Sequence, residues 1–133
     1  MCQTIPSPVV AARTILLVDD SMTLRIQVGR VLRGAGFHVI EAVDGLDALE
    51  KLATSPDLAL IVCDVNMPRM SGIELLEALK ARSDALPPIL MLTTEGNPEL
   101  VRRARASGAK AWMTKPFKPD LLLAAAMKLT TAA

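Results

Sequence analysis

Three aspartates, Asp19, Asp20 and Asp64, stand just after short and wholly apolar segments of this 133-residue chain. Carboxylates grouped without histidine or thiolate ligands select a hard cation, with Mg²⁺ as the first candidate and Mn²⁺ as the second. A carboxylate can also attack phosphorus itself and form an acyl phosphate. These residues therefore indicate metal-assisted phosphoryl chemistry, provided that the fold brings them together.

A hydroxyl and an amine occupy equivalent places further along the chain: Thr93 ends another apolar segment, and Lys115 follows the next one. An amine beside a cation attracts a phosphoryl group, whose transfer needs little more than positioning and charge neutralisation. Each residue alone has an ordinary explanation as a helix cap, a turn residue or a surface lysine. Stability does not explain the whole set, because two like charges about 4 Å apart repel by about 4 kcal/mol at an effective dielectric constant near 20.

The apolar segments predict strands that are buried on both faces, and segments with helical spacing follow each of them. Cap signals support the helices, including Ser21, the Ser71–Glu74 capping box and Asn97 before Pro98. The predicted strands cover residues 14–18, 37–42, 58–63, 89–93 and 109–114. Five strand–helix units predict a parallel sheet covered by helices on both faces. Right-handed crossovers place all carboxyl ends of the strands at one edge, where such sheets bind their ligands.

Composition narrows the class of protein. With 51% hydrophobic and 22% charged residues, the chain is expected to fold as one domain over residues 13–130, after a flexible lead-in at residues 1–12. The net charge of +1 gives no basic field for nucleic acid or an anionic membrane. No apolar stretch approaches the ~18 residues of a membrane span, and neither a signal peptide nor a disulfide framework is expected from these residues. A cytoplasmic location is therefore predicted, without membrane insertion.

The ordered set of motifs resembles the receiver domain of two-component response regulators, most of all the stand-alone chemotaxis type. The motifs are Asp19-Asp20, Asp64 with Asn66-Met67-Pro68, Thr93, and Lys115-Pro116-Phe117. The resemblance covers about residues 13–130. It implies an α/β, flavodoxin-like (βα)5 fold whose five-stranded parallel sheet has the order 2-1-3-4-5.

The resemblance also implies a metal site and a phosphorylation site. Asp64 matches the aspartate that accepts a phosphoryl group from a histidine kinase. Asp19 and Asp20 match the acidic pair that holds Mg²⁺, together with Asp64 and the main-chain carbonyl of Asn66. Lys115 matches the lysine that pairs with the phosphoryl group, and the bond after it is expected to be a cis peptide.

Further positions match the switch of the family. Thr93 matches the hydroxyl that closes on the phosphoryl group, and Trp112 matches the aromatic side chain that turns inward on activation. Asn66 and Glu95 occupy the two positions that tune how fast the phosphoryl group is lost, with the Asn/Glu pair of chemotaxis regulators.

The function implied is that of a phosphoprotein switch in a phosphorelay and not of an enzyme. The expected partners are a histidine kinase, a target protein on the face of helix four, strand five and helix five, and a phosphatase. The alternative is a small Mg²⁺-dependent aspartyl-phosphate phosphotransferase or phosphatase that acts on an outside substrate. Such hydrolases usually carry a second acid two residues after the nucleophile, where this chain has Asn66. A nucleotide-binding module would need a glycine-rich loop after the first strand, which is absent.

Overall fold

A computed structural model describes residues 13–55, 57–67, 69–82, 86–93 and 98–131 of the chain. The expected lead-in at residues 1–12, Pro68, Glu95 and the Asn97 cap lie outside the described residues. Strands and helices alternate along the described chain. Their bounds are β1 Thr14–Val18, α1 Met22–Gly34, β2 His38–Ala42, α2 Gly45–Thr54, β3 Leu58–Cys63, α3 Gly72–Arg82, β4 Ile89–Thr93, α4 Pro98–Ala106, β5 Ala111–Thr114 and α5 Pro119–Thr131.

The strands form one parallel sheet in the order β2-β1-β3-β4-β5, which confirms the predicted fold class. Val18 pairs with Ala42 of β2 and with Cys63 of β3, so three strands end at the same level. Thr93 of β4 pairs with Thr114 of β5 in the same way. Residues that follow these positions therefore emerge together at one edge of the sheet.

Both faces of the sheet are covered, which explains why the central strands are apolar at almost every position. Helices α2, α3 and α4 pack on one face, around buried residues that include Leu16, Ile61 and Met91. Helices α1 and α5 pack on the other, around residues that include Leu17, Val62 and Leu92. Alternate residues of one strand thus enter opposite halves of the core.

The sequence prediction for β2 began one residue too early, at Phe37. The strand begins at His38, because the Phe37 N–H donates to the Leu32 carbonyl across 3.1 Å and closes the end of α1. Gly36, with φ of 99°, provides the left-handed residue that this helix ending requires.

The predicted start of β5 at Ala109 was wrong for the same reason. The Ala109 N–H donates to the Ala104 carbonyl across 2.9 Å, after Gly108 with φ of 106°. The strand therefore begins at Ala111. An apolar residue that follows a left-handed glycine belongs to the helix ending, although its side chain reads as part of a strand.

Helix α3 begins unusually close to the end of β3. A Cβ atom on Gly72 would lie only 2.1 Å from the carbonyl oxygen of Asp64 and 2.9 Å from its carbonyl carbon. The Gly72 N–H donates to the Val65 carbonyl across 2.9 Å. The backbone that carries Asp64 is thus fixed against the first residue of the helix.

We expect Gly72→Ala to lower the free energy of unfolding by about 1–3 kcal/mol, because the added methyl group meets backbone that cannot rotate away. Urea denaturation followed by circular dichroism measures this. Gly34→Ala is the matched control, since a Cβ there has nothing within 4 Å. It should be neutral or stabilising by up to about 1 kcal/mol. Equal stability of the two variants would contradict the close approach.

Candidate functional site

The three aspartates named from the sequence come together at the carboxyl edge of the sheet. One carboxylate oxygen from each of Asp19, Asp20 and Asp64 lies within 4.8 Å of the others. Asp19 and Asp64 are buried, with 3% and 5% of their surface exposed, whereas Asp20 is open to solvent. The cluster therefore consists of two buried carboxylates and one carboxylate that solvent can reach.

The local fold of the β1–α1 connection explains why Asp20 remains open to solvent. Ser21 is the N-cap of α1, and its hydroxyl accepts the Leu24 N–H across 3.2 Å. The Ser21 N–H in turn donates to the Asp19 carboxylate across 2.9 Å. Because Ser21 caps the helix, Asp20 is not needed for that task.

Lys115 lies between the two buried carboxylates. Its Nζ is 3.1 Å from an oxygen of Asp19 and 3.3 Å from an oxygen of Asp64. The Lys115 N–H donates to the Thr93 carbonyl across 2.7 Å, which ties this residue to the end of β4. The Lys115–Pro116 bond is cis, as the resemblance implied.

Burial raises the pKa of Asp64 above its ordinary value of 3.8, and the negative charge of Asp19 raises it further. The Lys115 ammonium and the Asn66 backbone N–H, which donates to the Asp64 carboxylate, oppose this rise in pKa without cancelling it. The neighbouring Cys63 thiol is fully enclosed, and burial raises its pKa as well. Cys63 is thus a packing residue, and the donor set at this edge consists of oxygen atoms.

An all-oxygen set of carboxylates at the end of parallel strands fits a hard divalent cation such as Mg²⁺, which keeps several waters and needs few protein ligands. Asp20 is exposed enough to reach such an ion, and the cluster is compact enough to share it. Asn66 is exposed and follows Asp64 by two residues. The residues present therefore fit the ion that the sequence pointed to.

Thr93 and Trp112 lie on the same face of the sheet. Thr93 is fully buried at the end of β4, two residues after Met91, which pairs with Trp112 on β5. Trp112 is partly buried and packs on the core beneath α3 and α4. Its indole N–H is buried without a hydrogen-bond partner among the described residues. The structure leaves the switch roles of both residues as predictions.

Two ion pairs near the cluster were not anticipated from the sequence. Arg25 donates to the Asp19 carbonyl across 2.7 Å and to Glu41 across 3.0 Å. Arg69 pairs with Asp44 at the start of α2. The arginine and its acid are 16 and 25 residues apart, respectively, so no local spacing could have indicated either pair.

Comparison with known proteins agrees with this geometry. The family model for the response regulator receiver domain matches residues 15–127. The chain belongs to the response regulator receiver domain family. Chemotaxis protein CheY1 of Helicobacter pylori is 39% identical over 112 residues, which cover 81% of this chain and 89% of that protein.

Solved receiver structures show the same fold. Chemotaxis protein CheY4 of Vibrio cholerae, crystallised at low pH, has a TM-score of 0.83 at 40% identity and covers 89% of this chain and 98% of its own. A CheX–CheY complex with BeF3 and Mg²⁺ from Borrelia burgdorferi contains a chain with a TM-score of 0.82 at 28% identity, with 88% of each chain covered. No described helix of this receiver domain is long and apolar enough to cross a membrane.

The acidic cluster should reduce stability when no cation is bound. Lys115 contacts Asp19 and Asp64, and Ser21 already caps α1. We therefore expect Asp20→Asn to raise the free energy of unfolding in chelator by about 1–2 kcal/mol. Urea denaturation with chelator and with Mg²⁺ measures this, and Mg²⁺ should narrow the difference because it stabilises the wild type. A variant that is less stable than wild type in chelator would contradict the electrostatic explanation.

The raised pKa of Asp64 predicts a pH dependence of stability. The folded protein releases this proton at higher pH than the unfolded chain, so the stabilisation from protonated Asp64 is present below 3.8 and lost as pH rises through the raised pKa. The Asp64→Asn variant does not lose stability in this way, because its side-chain amide does not titrate. In chelator, its advantage over wild type should be small near about pH 4 and larger near about pH 7.

Urea denaturation at a series of pH values measures the Asp64 effect. Asp57→Asn is the control, because Asp57 is an exposed acid just before β3, at the opposite edge of the sheet. Its free energy of unfolding relative to wild type should not increase as the pH rises. A stability gain for Asp64→Asn that stays constant with pH would argue against a raised pKa.

Proposed function

We propose that this protein is a response regulator of the CheY type. In this proposal, Asp64 accepts a phosphoryl group from a histidine kinase in a Mg²⁺-dependent reaction, and the modification changes a partner-binding face in chemotaxis or motility signalling. One observation carries the proposal: the Asp64 carboxylate lies beside two further carboxylates and the Lys115 ammonium at an edge that is open to solvent at Asp20.

The proposed transfer uses an oxygen of Asp64 as the nucleophile. A bond forms between that oxygen and phosphorus while the bond from phosphorus to the donor imidazole nitrogen breaks. The leaving imidazole keeps the electron pair and takes up a proton from solvent, and Asp64 becomes an aspartyl phosphate. The transfer therefore requires Asp64 in its carboxylate form, which the Lys115 ammonium and the Asn66 N–H favour.

Asp19, Asp20, Asp64 and the carbonyl of Asn66 would hold the Mg²⁺. When bound, the ion supplies positive charge that neutralises the transferring phosphoryl oxygens. Lys115 lies within 3.3 Å of the nucleophile and would stabilise the same charge from the side of β5. Asp19, which accepts bonds from both Lys115 and the Ser21 N–H, orients these groups.

The switch is proposed to run along one face of β4 and β5. Thr93 stands at the end of β4 and would donate its hydroxyl proton to an oxygen of the phosphoryl group. Trp112 packs on the same face, opposite Met91. A shift of Thr93 would change the space available to the indole, and so alter the face of α4, β5 and α5 that a target protein recognises.

Similarity supports the pathway and the partners. CheY1 of Helicobacter pylori is named a chemotaxis protein, and the Borrelia burgdorferi structure contains CheX together with CheY. We propose a phosphatase as a further partner on that basis, and a cytoplasmic site of action. The protein would be a switch with self-phosphorylation and self-dephosphorylation and not an enzyme for outside substrates.

We expect incubation with acetyl phosphate and Mg²⁺ to add one phosphoryl group per chain, because a small acyl phosphate can replace the kinase as donor. Intact-mass spectrometry measures this. Asp64→Asn should remain unmodified, and Lys115→Ala should be modified more slowly, because the transferring charge loses its stabilising cation.

Asp57→Asn is the control and should be modified like wild type. Modification of Asp64→Asn at the wild-type rate would place the acceptor elsewhere. Modification of the wild type that does not depend on Mg²⁺ would separate the phosphorylation from the acidic cluster.

A further inference from the structure

An ion pair connects the β3–α3 connection to the start of α2. The Nε and Nη2 atoms of Arg69 lie 2.7 Å and 2.6 Å from the same oxygen of Asp44. The other oxygen of Asp44 accepts the Asp47 N–H across 2.8 Å and caps α2. The Asp44 side chain is only 5% exposed, so its position is fixed by the helix and Arg69 is held against a rigid group.

The backbone of Arg69 is in the left-handed region, with φ of 66°. Among the described residues other than glycine, it is alone in having a positive φ. Glycine or asparagine adopts this conformation with less strain than arginine. An arginine at such a position indicates that its side chain compensates for the backbone, and strained residues of this kind gather at functional sites.

The next residue makes a second contact with the start of α2. A Cβ atom on Gly45 would lie 2.6 Å from the Cγ of Met70, so the two chain segments pack without space for any larger residue. Arg69 and Met70 thus hold this part of the connection by an ion pair and by packing. Both contacts act on the segment that follows the acidic cluster.

This segment includes a group that touches the nucleophile. Asn66, three residues before Arg69, donates its backbone N–H to the Asp64 carboxylate. The bond from the Gly72 N–H to the Val65 carbonyl joins the two ends of this connection. Arg69 is thus three residues from the N–H group that binds Asp64, on the same short connection between β3 and α3.

We infer that Asp44 and Arg69 form a positioning pair that fixes Asn66 beside Asp64 and thereby sets the affinity of the acidic cluster for Mg²⁺. The inference rests on the proposed function and deepens it. Neither side chain belongs to the group of carboxylates that would hold the cation. The pair acts through the backbone of the connection, in the way that outer groups orient the ligands of other metal sites.

The direction of the change in Mg²⁺ affinity distinguishes positioning from a simple effect of charge. Arg69 carries a positive charge on the connection that follows Asp64, so its removal should strengthen Mg²⁺ binding if only charge matters. Removal should weaken binding if the ion pair positions Asn66. The two explanations cannot both describe the same variant.

The test uses Arg69→Gly in the full chain. Urea denaturation at a series of Mg²⁺ concentrations gives both the stability without metal and the dissociation constant, because bound ion stabilises the folded state by mass action. We expect the dissociation constant for Mg²⁺ to rise about tenfold. Stability in chelator should stay equal or increase, because glycine accepts the left-handed backbone. Arg69→Asn serves as the second variant if Arg69→Gly does not fold.

Two further variants separate positioning from a general loss of stability. Asp44→Asn can still cap α2 but cannot form the ion pair, and it should weaken Mg²⁺ binding like Arg69→Gly. Arg103→Ala removes an exposed arginine whose 3.2 Å ion pair with Glu77 joins α4 to α3, and it should leave the dissociation constant unchanged.

An unchanged or lower dissociation constant in Arg69→Gly would overturn the inference. So would a fall in stability without a change in Mg²⁺ affinity, since a purely structural pair would behave in that way. The proposed function fails differently: in that case Asp20→Asn would bind Mg²⁺ as tightly as wild type.

Discussion

The ammonium group of Lys115 lies between two buried carboxylates that would otherwise repel each other, and much of the carboxyl edge depends on this contact. Asp19 and Asp64 each approach it within 3.3 Å, although Lys115 is 96 residues from Asp19 in the chain. One cation cannot balance three acids. Burial and the charge of Asp19 therefore still raise the pKa of Asp64, and the folded chain keeps an excess of negative charge at this edge.

That excess is the physical basis of the proposed Mg²⁺ dependence. A site whose charges were fully paired within the chain would gain little stability from a divalent ion. Three carboxylates and one ammonium carry a net charge of about −2, which one divalent cation can balance. Ser21 caps α1 in place of Asp20, which keeps the third carboxylate at the solvent-facing rim. On the proposed function, this arrangement lowers the stability of the metal-free fold in return for a working site, as is common at active sites.

Two structural features connect the acidic edge to the rest of the receiver domain. Alternation along β4 and β5 places Thr93 and Trp112 on one face, toward α3 and α4, where the proposed switch would act. On the other side of Asp64, the connection to α3 is held by Gly72 against the Asp64 carbonyl and by Arg69 against Asp44. The proposed nucleophile thus lies between the proposed switch and a connection that is held in place by these two contacts.

The family motifs were enough to predict the sheet order, and the apolar runs placed the acids, Thr93 and Lys115 at strand ends, because a buried parallel strand is a short apolar run with a marked end. The sequence misplaced the starts of β2 and β5, because Phe37 and Ala109 use their N–H groups to close helices although their side chains are apolar. Two further ion pairs became evident only from the packing of the folded chain. Arg25 with Glu41 and Arg69 with Asp44 join residues that are distant in the chain, and such pairs depend on how helices and loops pack, which local spacing does not encode.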